Sequence, residues 1–526
     1  MGVFSSKPFK NNIIQRIPKK ERADVLLVYP IWVTAAGRGQ LQRMLPPLGI
    51  LSIASYLETK GYEVHIVDLH AEKITPEEFR KIVRSLNPRV VGATVLSNHF
   101  VPANYVATIC KEEVPDCKMY VGGVHAESHP EEMLQNPNID AVCRGDGEEV
   151  MMDLVGGAFY ADILGLSYRN DEGKVVHNAP RPVEMDLDKY PFPAYHLINF
   201  DNYFPAVGTY RDLPAINVLM TRGCPGKCTF CNSANTVLRS RSVDKMIEMI
   251  KMLRYEYGIR QINFYDDTFT ANKQNIFEFC EKMIEQKVDI KFVCYVRGDM
   301  LSEKMAELLS RAGCHHLLLG IESGSQTLRE QINKPIKEDV YFRCVKIAHK
   351  YHMEIRGAFI IGHLLETQQT LEETLQFAID LDVDFFQPSI MTPYPGTQLF
   401  RDAKMKGLLK HEKYELYGQG QPVLKMEHLT DEELMRFQTT SFYRFYFRPR
   451  AVWQQLKRLR SWYQFVDLFK AFYIIIVDGI SNQKTSQLRG WLDFDVESVC
   501  NKTITPSATP RVTWEVRQEE VFTYQS

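Results

Sequence analysis

Cys224-Pro225-Gly226-Lys227-Cys228-Thr229-Phe230-Cys231 sets three cysteines at C-x-x-x-C-x-x-C spacing, directly after an apolar run at 216–220. A loop of that length can gather three thiolates around one iron cluster. Iron–sulfur clusters are usually held by four cysteine thiolates. Only three stand together here, which leaves one iron open to a small molecule. Two plainer readings compete. A structural zinc needs four protein ligands, and no fourth stands nearby. A chance grouping would not open an ordered series of strands and helices, as this one does.

That series predicts strands at 216–220, 261–264, 291–295, 316–321, 354–361 and 385–390. Helices are predicted between them at 242–257, 275–285, 302–312, 337–351 and 371–381. Strand-length apolar runs alternating with amphipathic stretches indicate parallel βα units. Six of them predict a partial (β/α)6 barrel of the TIM type, with its site at the carboxyl ends of the strands. The cysteines follow the first strand and fall at that end.

Upstream, strands are predicted at 24–29, 63–68, 90–95, 118–121 and 141–144, with helices at 48–60, 76–86 and about 105–113. This is the pattern of a doubly wound, Rossmann-like parallel sheet, whose ligands sit beyond the carboxyl ends of its strands. The loops there carry Thr94-Val95-Leu96-Ser97-Asn98, Gly122-Gly123-Val124-His125 and Gly145-Asp146-Gly147-Glu148. Glycine admits close backbone approach and the polar side chains offer hydrogen bonds. Many such sheets have similar loops and no cofactor.

The chain has 526 residues, 45% hydrophobic and 24% charged, with a net charge of -2. That length fits roughly three domains. The charge balance excludes a nucleic-acid binder that relies on a basic face. Eleven cysteines, scattered and odd in number, are not a secreted disulfide framework and point to a reducing cytoplasm. No run reaches about 18 uninterrupted apolar residues, so no transmembrane helix is expected. Met1-Gly2-Val3-Phe4-Ser5-Ser6 fits a loose myristoylation pattern; the short match favours an unmodified lead. The expected divisions are a flexible lead at 1–22, the Rossmann-like domain at 23–165 and a hairpin and linker at 166–210. The barrel follows at 211–400, a helical region at 401–493 and a polar tail at 494–526.

Leu45-Pro46-Pro47-Leu48-Gly49, Gly122-Gly123-Val124-His125-Ala126 and Arg144-Gly145-Asp146-Gly147-Glu148 together resemble the cobalamin-binding domain in front of many radical S-adenosylmethionine enzymes. The resemblance implies that Thr94, Ser97, Gly122 and Gly123 hold the cofactor's nucleotide tail. The D-x-H-x-x-G signature of methionine-synthase-like domains, whose histidine ligates cobalt, is absent. Asp68-Leu69-His70 looks like its start, but Lys73 stands where glycine belongs. His70 therefore reads as an ordinary loop histidine.

The region 216–400 resembles the radical S-adenosylmethionine superfamily. The resemblance implies a 4Fe-4S cluster on Cys224, Cys228 and Cys231, with aromatic Phe230 before the last cysteine. It assigns Asp266 and Asp267, where many members carry Gly-Gly-Glu, to the amino group of S-adenosylmethionine; the plainer reading of Asp266 is a helix cap. It assigns Arg297 to the methionine carboxylate and Glu322, beside Ser323, to the ribose hydroxyls. Gly362-His363-Leu364-Leu365-Glu366-Thr367 departs from the family's Gly-x-Pro-Gly-Glu-Thr, so the shape of this loop is open. Cys314-His315-His316 looks like a ligand group, but it sits where a strand enters the far end of the barrel and reads as core.

In the tail, Thr430 and Glu433 have capping-box spacing. The aromatic–arginine run 442–450 reads as a helix end packed on the barrel in preference to a nucleic-acid stacking face. The apolar stretch 465–480 reads as buried, with docking of an apolar substrate or a membrane surface as alternatives.

The resemblance implies an enzyme that makes a 5′-deoxyadenosyl radical and methylates an unactivated carbon or phosphorus through methylcobalamin. A small-molecule substrate and a reductant such as flavodoxin or ferredoxin are the implied partners. The alternative is a cyclase or ring-rearranging enzyme of the same start, acting on a tetrapyrrole or lipid-like substrate without methyl transfer. Methylthiotransferases fit worse, because the first domain lacks a clustered cysteine set. A cofactor-binding sensor would not need the full set of strand-end motifs.

Overall fold

The computed structural model describes residues 16–32, 45–205, 209–418, 420–458, 489–491 and 494–500. Two parallel sheets dominate it. In the first, β1 (Val25–Tyr29), β2 (Val64–Asp68), β3 (Val90–Thr94), β4 (Lys118–Gly122) and β5 (Ala141–Cys143) are parallel, in the order β2-β1-β3-β4-β5. The order reverses between β1 and β3, and ligands of open sheets bind at such a switch point. The strands are buried on both faces: Leu26, Leu27, Val67 and Val91 are 0–1% exposed.

The expected hairpin forms at 166–177, and it extends this sheet instead of standing between the domains with the linker. β6 (Leu166–Arg169) pairs antiparallel with β5, and β7 (Val175–His177) with β6. Leu166 and Ser167 are fully buried against β5, and that burial draws the hairpin onto the edge. The third predicted helix starts earlier than expected, at Phe100. Pro102 lies in its first turn, where a missing N–H costs nothing.

The second sheet is all parallel, in the order β8-β11-β12-β13-β14-β15. Its strands are β8 (Ala215–Val218), β11 (Gln261–Phe264), β12 (Lys291–Val296), β13 (Cys314–Glu322), β14 (Glu354–Ile361) and β15 (Phe385–Ile390). A short ladder, β9 (Thr221–Arg222) with β10 (Arg239–Ser240), follows β8. β8 and β15 are not paired, so the barrel is open. On β14, Ile355, Gly357, Phe359 and Ile361 are buried, while Glu354, Arg356, Ala358 and Ile360 are half-buried. One face packs on helices; the other faces the inside of the barrel. Ser242, Ser302, Thr367 and Thr397 cap the helices that cover the outside, each accepting from a backbone N–H in the first turn.

Thr430 and Glu433 form the capping box of the helix Asp431–Tyr446. That helix packs on β15: Phe445 stacks on Phe386 at 5.3 Å, and the Phe386 N–H donates to Tyr446 Oη at 3.0 Å. The chain then returns to the first sheet. Trp491 is fully buried beside Phe79 and Tyr105, and its Nε1 donates to the Ile74 carbonyl at 3.0 Å. Among the described residues no helix is long and apolar enough to cross a membrane. The stretch 465–480 lies outside the described residues.

Candidate active site

The three-cysteine loop leaves β9 through Gly223. At φ +92 its Cβ would stand 2.2 Å from the Val237 carbonyl, so only glycine fits. The loop is then closed on itself. Thr236 N donates to the Cys224 carbonyl at 3.0 Å, and Cys224 N donates to Thr236 Oγ1 at 2.9 Å. Two neighbouring loops hold it from outside. Thr229 N donates to the Ile332 carbonyl, Asn333 Nδ2 to the Lys227 carbonyl and Leu399 N to the Thr229 carbonyl, at 2.9–3.1 Å. Phe230 packs with Ile332, Met391 and Leu399.

Cys224, Cys228 and Cys231 are half-buried, whereas every other described cysteine except Cys500 is fully buried. Burial pushes Cys228 up and Cys231 up to about 11; the charges of the neighbouring cysteines add to both, while Lys334 and Arg297 pull Cys228 back. Three converging thiolates would repel one another and lose hydration. A cation that neutralises them resolves both costs. The donor set, all sulfur and one short of four, fits an iron–sulfur cluster with one open iron.

The strand-end carboxylates divide. Asp266 is fully buried and accepts from Met220 N at 3.2 Å, Thr221 N at 2.5 Å and Thr221 Oγ1 at 2.6 Å. Burial raises it to about 6 against those hydrogen bonds. It braces the chain leading into the cysteine loop. It is not free for the amino group that the resemblance assigns to it, nor is it a helix cap. Asp267 is exposed, accepts from Ser233 Oγ at 2.7 Å and lies close enough to raise Cys231. Arg297 donates from Nε to Asp299 at 2.9 Å, and its Nη1 is 3.6 Å from where a Gly226 Cβ would stand.

Glu322 is buried at φ +72 and paired with Lys334 Nζ at 2.6 Å; Lys334 also donates to the Gly320 carbonyl at 3.0 Å. Ser323 turns away, toward Thr374 Oγ1 at 3.2 Å, so it is a helix contact and not a ligand contact. The residues the sequence missed are Lys334 and Thr268, whose Oγ1 lies 3.3 Å from Cys224 Sγ. Lys334 belongs to no recognisable motif, whereas Thr268 directly follows Asp267 in the stretch Tyr265-Asp266-Asp267-Thr268-Phe269. The unusual loop 362–367 is held by Glu366, which accepts from Gly362 N, His363 N and Thr370 Oγ1; burial raises it to about 7.

At the edge of the first sheet, Val95 N donates to the Gly122 carbonyl at 2.7 Å, joining the loops after β3 and β4. Gly123 has φ +95, and a Cβ there would meet Thr94 Oγ1 at 2.9 Å. Ser97 is buried in the turn Ser97–His99. Around this cradle, buried polar atoms have no partner: His70 Nδ1, His99 Nε2 and both ring nitrogens of His125. Burial lowers His99 and His125 to about 3, so both are neutral. Orphaned imidazoles beside a side-chain-free backbone fit an amide-rich group such as cobalamin. Lys73, at the glycine position of the absent signature, has φ +56.

The two edges face each other. A Cβ on Gly396, after β15, would stand 3.1 Å from Ser128 Cβ of the first domain and 3.4 Å from Asn232 Oδ1, next to Cys231. The Arg144–Glu148 motif clamps the domains. Arg222 Nη2 meets buried Glu148 at 2.6 Å, and Asp146 pairs with Arg239. Asn217 Nδ2 donates to the Pro46 carbonyl at 3.2 Å. Tyr414, from the chain after the barrel, packs on His125 at 4.6 Å and Phe100 at 5.5 Å.

Comparison with known proteins agrees with this arrangement. Residues 218–378 match the radical SAM superfamily and residues 37–155 the B12 binding domain. The chain is 36% identical over 415 residues to an uncharacterized methyltransferase of Pyrococcus horikoshii, covering 77% of this chain and 89% of that one. It is 28% identical over 443 residues to the anaerobic magnesium-protoporphyrin IX monomethyl ester cyclase of Rubrivivax gelatinosus, covering 82% and 78%. The fold matches that of the cobalamin-dependent S-adenosylmethionine radical enzyme OxsB, with TM-score 0.65, 18% identity and coverage of 89% and 74%. It also matches the methyltransferase TsrM of Kitasatospora setae, with TM-score 0.59, 18% identity and coverage of 73% and 74%.

Proposed function

The chain belongs to the radical S-adenosylmethionine enzymes that carry a B12-binding domain, and from that premise we propose that it methylates an unactivated carbon or phosphorus of a small-molecule substrate. Its cofactors are a 4Fe-4S cluster, S-adenosylmethionine and cobalamin; when bound, they supply a hydrogen-abstracting radical and a transferable methyl group. The observation that carries the reading is the convergence of Ser128, Gly396 and Asn232. It brings the cobalamin-type edge against the cysteine loop, as transfer between two cofactor sites requires.

In this reading Cys224, Cys228 and Cys231 hold the cluster. Arg297 pairs with the carboxylate of S-adenosylmethionine, and Asp267, the exposed member of its pair, accepts from the ammonium. Glu322, fixed by Lys334, accepts from ribose hydroxyls. Thr94, Ser97, Gly122 and Gly123 receive the nucleotide tail of cobalamin. The electron comes from a flavodoxin- or ferredoxin-class reductant, and the unpaired cysteines suit a reducing cytoplasm.

The likeness to the ester cyclase favours one second reading, ring formation without methyl transfer. The test is anaerobic turnover of the reconstituted protein with S-adenosylmethionine, cobalamin and dithionite. 5′-Deoxyadenosine together with S-adenosylhomocysteine is the expected result. 5′-Deoxyadenosine alone, with a consumed substrate, supports the cyclase; neither product sinks both.

A further inference from the structure

The opposite end of the barrel carries a second group of ligand-type side chains. β12 and β13 slip register there: Phe292 lies opposite Cys314 and Val293 opposite His316, which leaves His315 as the bulged residue. Bulges re-aim side chains, and this one lets two successive histidines reach one site. His316 faces Glu354 across the β13–β14 ladder, with Nδ1 3.4 Å from Oε2. His315 and His316 are 3% and 0% exposed. One ligand atom from each of His315, His316 and Glu354 lies within 4.8 Å of the others.

The protonation of His315 follows from its neighbour. Gln261 Nε2 donates to the Thr209 carbonyl and to Asn263 Oδ1, at 2.8 Å each. Gln261 Oε1 is therefore the acceptor, and it takes Arg211 N at 2.8 Å. His315 Nε2, 3.0 Å from the same oxygen, must be the N–H donor. Its Nδ1 is buried without a partner. His316 Nδ1 faces Glu354 Oε2 at 3.4 Å, so an ion held with Glu354 takes that nitrogen and leaves the N–H on Nε2. The buried lone pair of His315 Nδ1 has no hydrogen donor. A metal ion satisfies it, and Gln261 already makes the outer hydrogen bond that orients a ligating imidazole.

We propose that His315, His316 and Glu354 bind a divalent cation of the zinc class at the amino-terminal end of the barrel. The donor set selects the ion: imidazoles suit zinc-class ions, whereas magnesium and calcium take oxygen ligands. Arg211 Nη2 lies 3.3 Å from Glu354 Oε1, and Arg356 stands over Phe385, which packs on His316. These guanidinium groups disfavour any dication, so the imidazoles must carry the binding. The amino-terminal ends of barrel strands serve stability more than catalysis. The ion would lock the bulge and tie β13 to β14 and, through Gln261 and Arg211, to the chain entering β8.

The test uses cluster-reconstituted full-length protein, incubated with zinc, desalted and analysed for metals and by zinc K-edge absorption. The expected result is about one zinc per chain in a nitrogen and oxygen shell near 2.0 Å, without sulfur at about 2.3 Å. H315Q and H316Q should each lose that zinc while keeping wild-type iron content and 5′-deoxyadenosine formation. Zinc absent from the wild type, a sulfur-containing shell, or zinc retained in both variants overturns the proposal. The wild-type spectrum decides even if a variant misfolds.

Discussion

The two sheets present their carboxyl edges to the same space but finish them differently. At the second sheet the buried carboxylates are already paired. Asp266 is spent on Met220 and Thr221, Glu322 on Lys334, and Glu366 on its own loop. At the first sheet four buried imidazole nitrogens have no partner. The cysteine loop is thus braced before any cluster arrives, and its thiols are the groups left to be satisfied. The first edge is completed only by its ligand. The buried carboxylates of one edge are paired within the fold; the buried imidazoles of the other are not.

The largest effect expected at the braced edge is loss of a thiol. C228S should lower S-adenosylmethionine cleavage to background and empty the cluster, read as iron content and 5′-deoxyadenosine, while cobalamin binding persists. If cobalamin binding falls as well, the two edges are one cooperative unit and the contrast fails. The next is the buried ion pair. K334M leaves Glu322 charged and alone, which costs about 3–5 kcal/mol. Urea unfolding should show that loss, with weaker S-adenosylmethionine binding. A variant as stable as wild type would mean that the pair braces nothing.

The parts of the site differ in how legible they are from the sequence. Cys224, Cys228 and Cys231 announce themselves because metal ligation needs one residue type at a fixed spacing. The strands were legible because buried parallel strands are continuous apolar runs. Asp266 and Ser323 misled for a physical reason. A carboxylate or hydroxyl at a strand end looks the same whether it faces ligand or backbone, and only the tertiary position of Thr221 or Thr374 decides. Lys334 was invisible because its role is set by a loop that folds back twelve residues to Glu322. The hairpin 166–177 was legible but its place on the sheet was not, because prolines after it read as a linker, whereas Leu166 is buried in the sheet. The bulge at His315 has no local signature at all.

Both edges also hold a carboxylate raised by burial: Asp68 to about 7 and Asp266 to about 6. In each the folded value lies above the unfolded one, near 3.9. The folded state therefore binds more protons between those values, and stability falls as pH rises from about 4 to about 7. Each contributes on the order of 3 kcal/mol in that direction. Asp68 is the informative member, since it accepts from Tyr203 Oη at 3.0 Å and from His70 N and Ala71 N. D68N should flatten the decline between about pH 5 and about pH 7, measured by urea unfolding at each pH. A decline unchanged in D68N would assign it to Asp266 and Glu366, at the other edge.

The smallest effect sharpens the comparison most. Gly123 has φ +95 and no room for a Cβ beside Thr94 Oγ1 and the Val95 carbonyl. G123A therefore strains the cradle by about 1–3 kcal/mol. If the first edge is completed by its ligand, the strain should appear in binding. Cobalamin affinity, followed by visible absorbance, should fall by about ten-fold or more, since 1.4 kcal/mol is a factor of ten. Iron content should not change, because no hydrogen bond of the cysteine loop reaches Gly123 among the described residues. Equal loss of iron and cobalamin would show that the strain spreads through the Ser128–Gly396 contact, and that the cysteine edge is braced by its neighbour as much as by its own hydrogen bonds.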